Sequence, residues 1–238
     1  MPNAPGEWKP LPHDPIEKLS ENLWRVSGSL PGMSLRRTMT VARLGGDRLI
    51  IHSAIALDDA ASKQIEAWGT PTYLIVPNGF HRKDAPAFKR RYPGLTVLGP
   101  RGARAKIEKV MPLDGTLEDF PKDHAIRFEP IQGIADVEWA MLVRSADGIT
   151  IVLGDVVFNM DRKRDPLGFV ISALLGMAPG PRITRLVQAA LVKDRAALRQ
   201  DLERLAATPG LIRLIVAHEK LVRGADAAAA LIAASKYL

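Results

Sequence analysis

Four apolar residues, Tyr73-Leu-Ile-Val76, run without a break into Pro77-Asn78-Gly79 and the polar stretch that ends at Asp84. Tyrosine, isoleucine and valine favour strands, whereas proline and glycine stop one and force a loop. Asp84 then reads as the N-cap of a short helix, with Pro86 tolerated in its first turn. A buried strand that ends in a polar loop at a helix N-terminus is where α/β proteins usually place chemistry.

The flanking segments extend this pattern in both directions. Residues 1–20 are rich in proline and charge and read as an N-terminal surface arm. Strands are expected at Leu23–Leu30, Thr38–Leu44 and Arg48–Ser53, the last two joined by the hairpin signal Gly45-Gly46-Asp47. Asp58 caps a helix to Trp68 that stops at Gly69. After the central strand come the Asp84–Arg91 helix, a strand at Leu95–Leu98 and a short basic helix with Arg101, Arg104, Lys106 and Lys109. Further strands fall at Ala125–Ile131, Val137–Ser145 and Ile149–Leu153, with Asp147-Gly148 turning the last pair. The third empties into a second polar loop, Gly154-Asp155-Val156-Val157-Phe158. Residues 165–207 read as a helical insert in two pieces split by Pro179-Gly180-Pro181. Its second piece has Asp194 as cap and Leu198, Leu202 and Leu205 as the buried stripe. Leu211–Val216 is a final strand leading to Ala217-His218-Glu219, and an alanine-rich helix closes the chain. Two meandering groups of strands, each followed by helices, suit two face-to-face sheets with helices outside, in one domain over residues 21–238.

Composition narrows the function classes. The 238 residues carry a net charge of +7, which suits nucleic acid, anionic lipid or acidic substrates but is more often a solubility feature. With no cysteine, disulfides and thiolate metal ligands are excluded. The first residues show no signal-peptide pattern, and the apolar stretch Leu167–Ala178 is too short to span a bilayer, so the cytoplasm is the expected compartment.

Three strand-ending loops, at 77–84, 154–158 and 217–219, line up with a known plan. Over about residues 23 to 236 the chain resembles the metallo-β-lactamase fold superfamily, αββα sandwiches that include metal-dependent hydrolases. Arg48–Ser53 resembles that family's first acidic strand, and Tyr73–Arg91 its strand, metal loop and helix. Gly154-Asp155-Val156-Val157-Phe158 resembles its bridging-aspartate loop, and Val216-Ala217-His218-Glu219 its terminal histidine loop. The insert and Lys193–Arg199 look closest to an uncharacterised bacterial branch with an incomplete metal motif. The resemblance implies an α/β, four-layer αββα fold and a hydrolase-type pocket. The family's His-x-His-x-Asp-His motif serves two metal ions roughly 3.5–4 Å apart. At its ligand positions this chain has Asn78, Phe80, Arg82 and Lys83, and Ile134 stands where an intermediate histidine is expected. Asp155 and His218 occupy ligand positions, and His81 lies one residue out of register.

The resemblance therefore implies an eroded site with no cofactor, or at most one weakly held zinc or other divalent ion on His81, Asp155 and His218. These three are also the catalytic candidates, with Asn78, Arg82 and Lys83 contacting a small anionic substrate. Lys83 or Arg82 is expected to pair with Asp155 in place of the missing ions. Blander readings stand beside these: Asp155 as a turn residue, His218 as a hydrogen-bonded structural histidine, and His81 as an exposed loop residue. His52, inside an apolar strand, reads as a core or pocket-wall histidine, and His13 and His124 lie in polar flanks. The basic runs 82–83, 89–91 and 162–164 read as solvated faces. The competing functions are a nucleic-acid-binding module, which lacks aromatics interleaved with its basic residues, and a partner-binding role with Leu167–Ala178 as an apolar lid.

Overall fold

The computed structural model describes residues 6–30, 33–162, 169–170, 173–218 and 220–238. The basic run 162–164 beyond its first residue, residues 167–168 and 171–172 of the apolar stretch 167–178, and Glu219 lie outside the described residues. The first sheet contains β1 (Glu17–Ser20), β2 (Leu23–Leu30), β3 (Met33–Arg43), β4 (Arg48–His52), β5 (Thr70–Ile75), β6 (Thr96–Gly99) and β7 (Gly115–Thr116), in that order. Strands β1 to β4 pair antiparallel, and β4 to β7 pair parallel. The second sheet contains β8 (Ile126–Pro130), β9 (Trp139–Ser145), β10 (Gly148–Val152), β11 (Leu211–Ile215) and β12 (Val222–Arg223). It repeats the scheme, with an antiparallel meander through β8, β9 and β10 and then a parallel step to β11.

A parallel step needs a crossover, and helices supply it. Between β4 and β5 runs α1 (Asp59–Trp68), whose cap Asp58 accepts a hydrogen bond from the Ala61 amide at 2.8 Å. Between β5 and β6 runs α2 (Ala85–Arg91), and after β6 comes the single turn α3 (Arg104–Ile107). The crossover from β10 to β11 carries α4 (Arg185–Ala190) and α5 (Arg195–Ala206), the latter capped by Asp194 through the Ala197 amide. The last helix is α6 (Asp226–Ser235).

Alternation along the strands divides the apolar residues into three layers. Ile50 of β4 and Ile75 of β5 face Met141, Val143 and Val152 between the sheets. Their neighbours Ile51 and Leu74 face the opposite way, onto Ile65 of α1 and Phe88 of α2. On the far side, Leu142, Ile151 and Leu214 meet Leu198, Leu202 and Leu205 of α5 and Leu231 of α6. The result is the expected four-layer αββα sandwich. Strands with both faces covered must be apolar at nearly every position, which is why β4 and the end of β5 read as unbroken runs.

Three local expectations change. Asp84 precedes α2, but its side chain caps nothing; it turns inward to a buried ion pair with Arg37 and accepts the Ala56 amide at 3.0 Å. The helix expected across the basic stretch 101–109 shrinks to a 3-10 turn plus α3, because Met111 and Leu113 must return to the core. The expected strand Val137–Ser145 begins only at Trp139, leaving Glu138 free to turn inward. At the N-terminus, Trp8 packs on Phe88 and donates to the Leu57 carbonyl at 2.9 Å, and residues 17–20 form edge strand β1.

Candidate metal centre

The C-terminal ends of the parallel strands β4, β5, β10 and β11 gather at one edge of the sandwich. The loops leaving β5, β10 and β11 supply His81, Asp155 and His218, whose donor atoms all lie within 4.8 Å of one another. Nε2 of His81 stands 3.0 Å from Asp155 Oδ1, and Nε2 of His218 stands 2.9 Å from the same oxygen. His81 reaches the site despite its shifted register because Asn78 folds the loop. The Asn78 side-chain oxygen accepts from the amides of Phe80 and His81, at 2.9 and 3.1 Å, which is a local Asx turn. The same side chain donates through Nδ2 to Asp155 Oδ2 at 3.0 Å, so one oxygen of Asp155 is held by an amide and the other faces two imidazoles.

The second ring nitrogens decide what those imidazoles can do. Nδ1 of His218 lies 2.7 Å from the Arg36 carbonyl oxygen, which only accepts, so Nδ1 must carry the proton. Nε2 then faces Asp155 Oδ1 at 2.9 Å, where either a shared proton or a metal ion would join the two. A histidine that donates its remote N–H to a carbonyl is the usual support of a metal ligand. Nδ1 of His81 lies 2.7 Å from Ser53 Oγ, which can donate or accept and leaves its tautomer open. Phe158 stacks on the His218 ring with centroids 4.7 Å apart and fixes its plane. Two imidazole nitrogens and a carboxylate oxygen, all within 4.8 Å of one another, form a donor set whose chemistry suits a single divalent ion.

A residue the sequence reading missed lies behind the loop. Glu138 is fully buried, and its carboxylate accepts from the amides of Gly154, Asp155 and Val156 and from Asn78 Nδ2. It therefore sets the positions of both Asp155 and Asn78. Glycine at 154 makes room for this carboxylate, since a Cβ there would come within 2.7 Å of Glu138 Oε2 and force it to shift. Burial, with the Asp155 charge alongside, pushes Glu138 up to about 7, against the pull of its four N–H donors. Burial would also raise Asp155, but the charge of His81 and the imidazole hydrogen bonds hold it far below the usual carboxylate range. For His81, burial disfavours the charged ring, yet Asp155 outweighs it and keeps the pKa above the ordinary histidine value. His52, at the end of β4, is driven down to about 3 by burial and the His81 charge, so it stays neutral as a buried residue and does not line the cavity above the triad.

The expected pairing of Lys83 or Arg82 with Asp155 does not form. The Asx turn puts residue 81, not 83, over the carboxylate, and both Asp155 oxygens already have partners. Arg82 instead donates to the Lys106 carbonyl, on the outside of the loop. Lys83 is exposed and lines the cavity above the triad, as Arg37 does. Ile134 is packed in the core behind the second sheet and offers no ligand. Arg37, also missed, lines the same cavity; its Nη2 holds Asp84 while its buried Nε has no hydrogen-bond partner among the described residues. A more open cavity at Phe120, Phe128 and Trp139 lies away from these groups.

No family model and no curated relative matches the chain in sequence. Solved structures do match. A metallo-β-lactamase from Hirschia baltica superposes with a TM-score of 0.61 over 92% of this chain and 97% of its own, at 14% identity. The chain has the metallo-β-lactamase fold. A metallo-β-lactamase from Pontibacter korlensis aligns over 94% and 99% of the two chains at 9% identity, with a TM-score of 0.62. FIM-1 from Pseudomonas aeruginosa, solved in a mono-zinc form, aligns over 96% of both chains at 12% identity and 0.61. At these identities the likeness establishes the fold alone.

Proposed function

We propose that the chain is a metal-dependent hydrolase of reduced, mononuclear type, with His81, Asp155 and His218 holding one divalent ion. The observation that carries this reading is the convergence of three donors from three loops within 4.8 Å of one another, with His218 Nδ1 committed to the Arg36 carbonyl so that Nε2 is the nitrogen left to ligate. A bound ion of this kind lowers the pKa of its water and polarises a carbonyl. A second ion finds no support, because Asn78 occupies the other Asp155 oxygen and Ile134 is buried core.

The chain's own residues then have separate tasks. Glu138 and Asn78 hold Asp155 in place, and Ser53 and the Arg36 carbonyl orient the two imidazoles. Lys83 and Arg37, at the cavity wall, attract a small ligand with an anionic or carbonyl head. In hydrolysis, water oxygen bonds to the carbonyl carbon, the bond to the leaving group breaks, and the leaving group departs with a proton. A nucleic-acid function draws no support from this cavity, whose walls are mostly aliphatic and aromatic.

The test is hydrolysis of a panel of aryl esters and thioesters by zinc-loaded protein. Asp155→Asn and His218→Ala should each lower the rate at least about 100-fold while circular dichroism shows the fold intact. Equal rates in folded variants would remove the reading, as would a complete lack of turnover across the panel.

A further inference from the structure

The cavity above the triad has a volume of about 380 Å³. At roughly 30 Å³ per water-sized unit, this is room for about a dozen non-hydrogen atoms. Its polar atoms are concentrated: the triad donors lie within 4.8 Å of one another, with Ser53 bonded to His81 and with Arg37 and Lys83 beside them. The rest of the wall is apolar. Leu35 and Phe158 rise from the sandwich, and Met177, Leu186, Val187 and Leu191 close over from the crossover that carries α4.

A sugar, nucleotide or peptide placed here would leave its hydrogen-bonding groups unpaired against those side chains, each at a desolvation cost. An alkyl chain would leave none unpaired. We infer that the site takes a medium-chain acyl compound, with an apolar tail of about eight to ten carbons along the leucine- and methionine-lined wall and its carboxyl-derived head at the triad. The placement of the head rests on the function proposed above. The placement of the tail rests on the cavity alone. This makes the ligand amphiphilic, where the sequence points only to a small anion.

Two wall residues lie on the exposed side of α4 and can be changed without disturbing the core. Leu186 is 54% exposed, and Ala190 is exposed as well. Isothermal titration of straight-chain carboxylates with four to fourteen carbons, into metal-free and zinc-loaded protein, tests the inference. In both forms affinity should rise about fourfold per added methylene, the equivalent of about 0.8 kcal/mol, and level off near eight to ten carbons as the chain outgrows the cavity. Ala190→Trp should move the plateau to shorter chains. Leu186→Glu should weaken octanoate more than tenfold and leave butanoate unchanged. Affinity that does not depend on chain length, or no binding of octanoate and decanoate, would overturn the inference. Zinc binding without chain-length dependence would sink it and leave the proposed metal centre standing. Chain-length dependence in a protein that binds no metal would do the reverse.

Discussion

Replacing Arg37 with methionine should be among the most damaging single changes near the site, although Arg37 touches none of the three proposed ligands. Its guanidinium is 5% exposed and pairs with Asp84, itself 11% exposed. With the guanidinium gone, Asp84 keeps, among the described residues, the Ala56 amide alone as a hydrogen-bond partner, and its charge is left buried. Removing one partner of a buried pair costs about 3–5 kcal/mol, against about 1 kcal/mol or less for an exposed pair. With an m-value of roughly 2–3 kcal/mol/M, the urea midpoint should fall by about 1–2.5 M. Asp84→Asn should cost a similar amount, since it strands the guanidinium, whose Nε already lacks a partner among the described residues. In the double variant Arg37→Met with Asp84→Asn no charge is left buried, and the side-chain amide oxygen introduced at position 84 can still accept from Ala56. The double variant should therefore regain at least about 2 kcal/mol relative to the sum of the single changes. Strictly additive losses, or single losses under about 1 kcal/mol, would refute the argument that this pair is buried and coupled.

Further outcomes follow from the loops around Asp155. Gly154→Ala should destabilise by more than about 1 kcal/mol in thermal or urea melts, because its Cβ would press on the Glu138 carboxylate at 2.7 Å, and the loss should fall when Glu138 is shortened to aspartate. Asn78→Ala removes the amide from Asp155 and the turn that places His81; zinc affinity, measured by chelator competition, should drop about 10–100-fold. For metal-free protein, stability should fall as pH rises. Glu138 has a raised folded pKa of about 7, so its contribution is complete below its unfolded value near 4.5 and is lost between there and about 7. His81, also raised, contributes fully below about 6.5 and loses its contribution as pH climbs through its folded value. Chemical melts at about pH 5 and about pH 8 should show this, and Glu138→Gln should flatten the part between 4.5 and about 7. Added zinc should stabilise more at about pH 8 than at about pH 5, because the ligands must be unprotonated.

What can be read in advance is what local rules govern. The double-sided apolar runs in β4 and β5, the caps Asp58 and Asp194, and the stripe Leu198, Leu202 and Leu205 each carry their own signal, and the structure uses all of them as expected. The site is different, because its side chains are placed by contacts between distant loops. Asn78 looks like a degraded ligand position, yet its amide bonds Glu138 and Asp155, 60 and 77 residues away. Glu138 falls at the start of an expected strand, and its inward turn shows only once the Gly154–Val156 amides are in place around it. Arg37 carries no local signal, and Asp84 reads as a helix cap, until the fold brings the two together across 47 residues. His81 is legible as a candidate but sits one residue out of register, because register along a loop is set by its turn and not by its spacing.

The central claim is that one ion belongs on His81, Asp155 and His218. Zinc titration of the apo protein against a chromophoric chelator tests it most directly, with His218→Ala measured alongside. The account predicts one equivalent bound by the wild-type protein and none by the variant at the same free zinc. Two equivalents, none, or one equivalent retained after His218→Ala would contradict it.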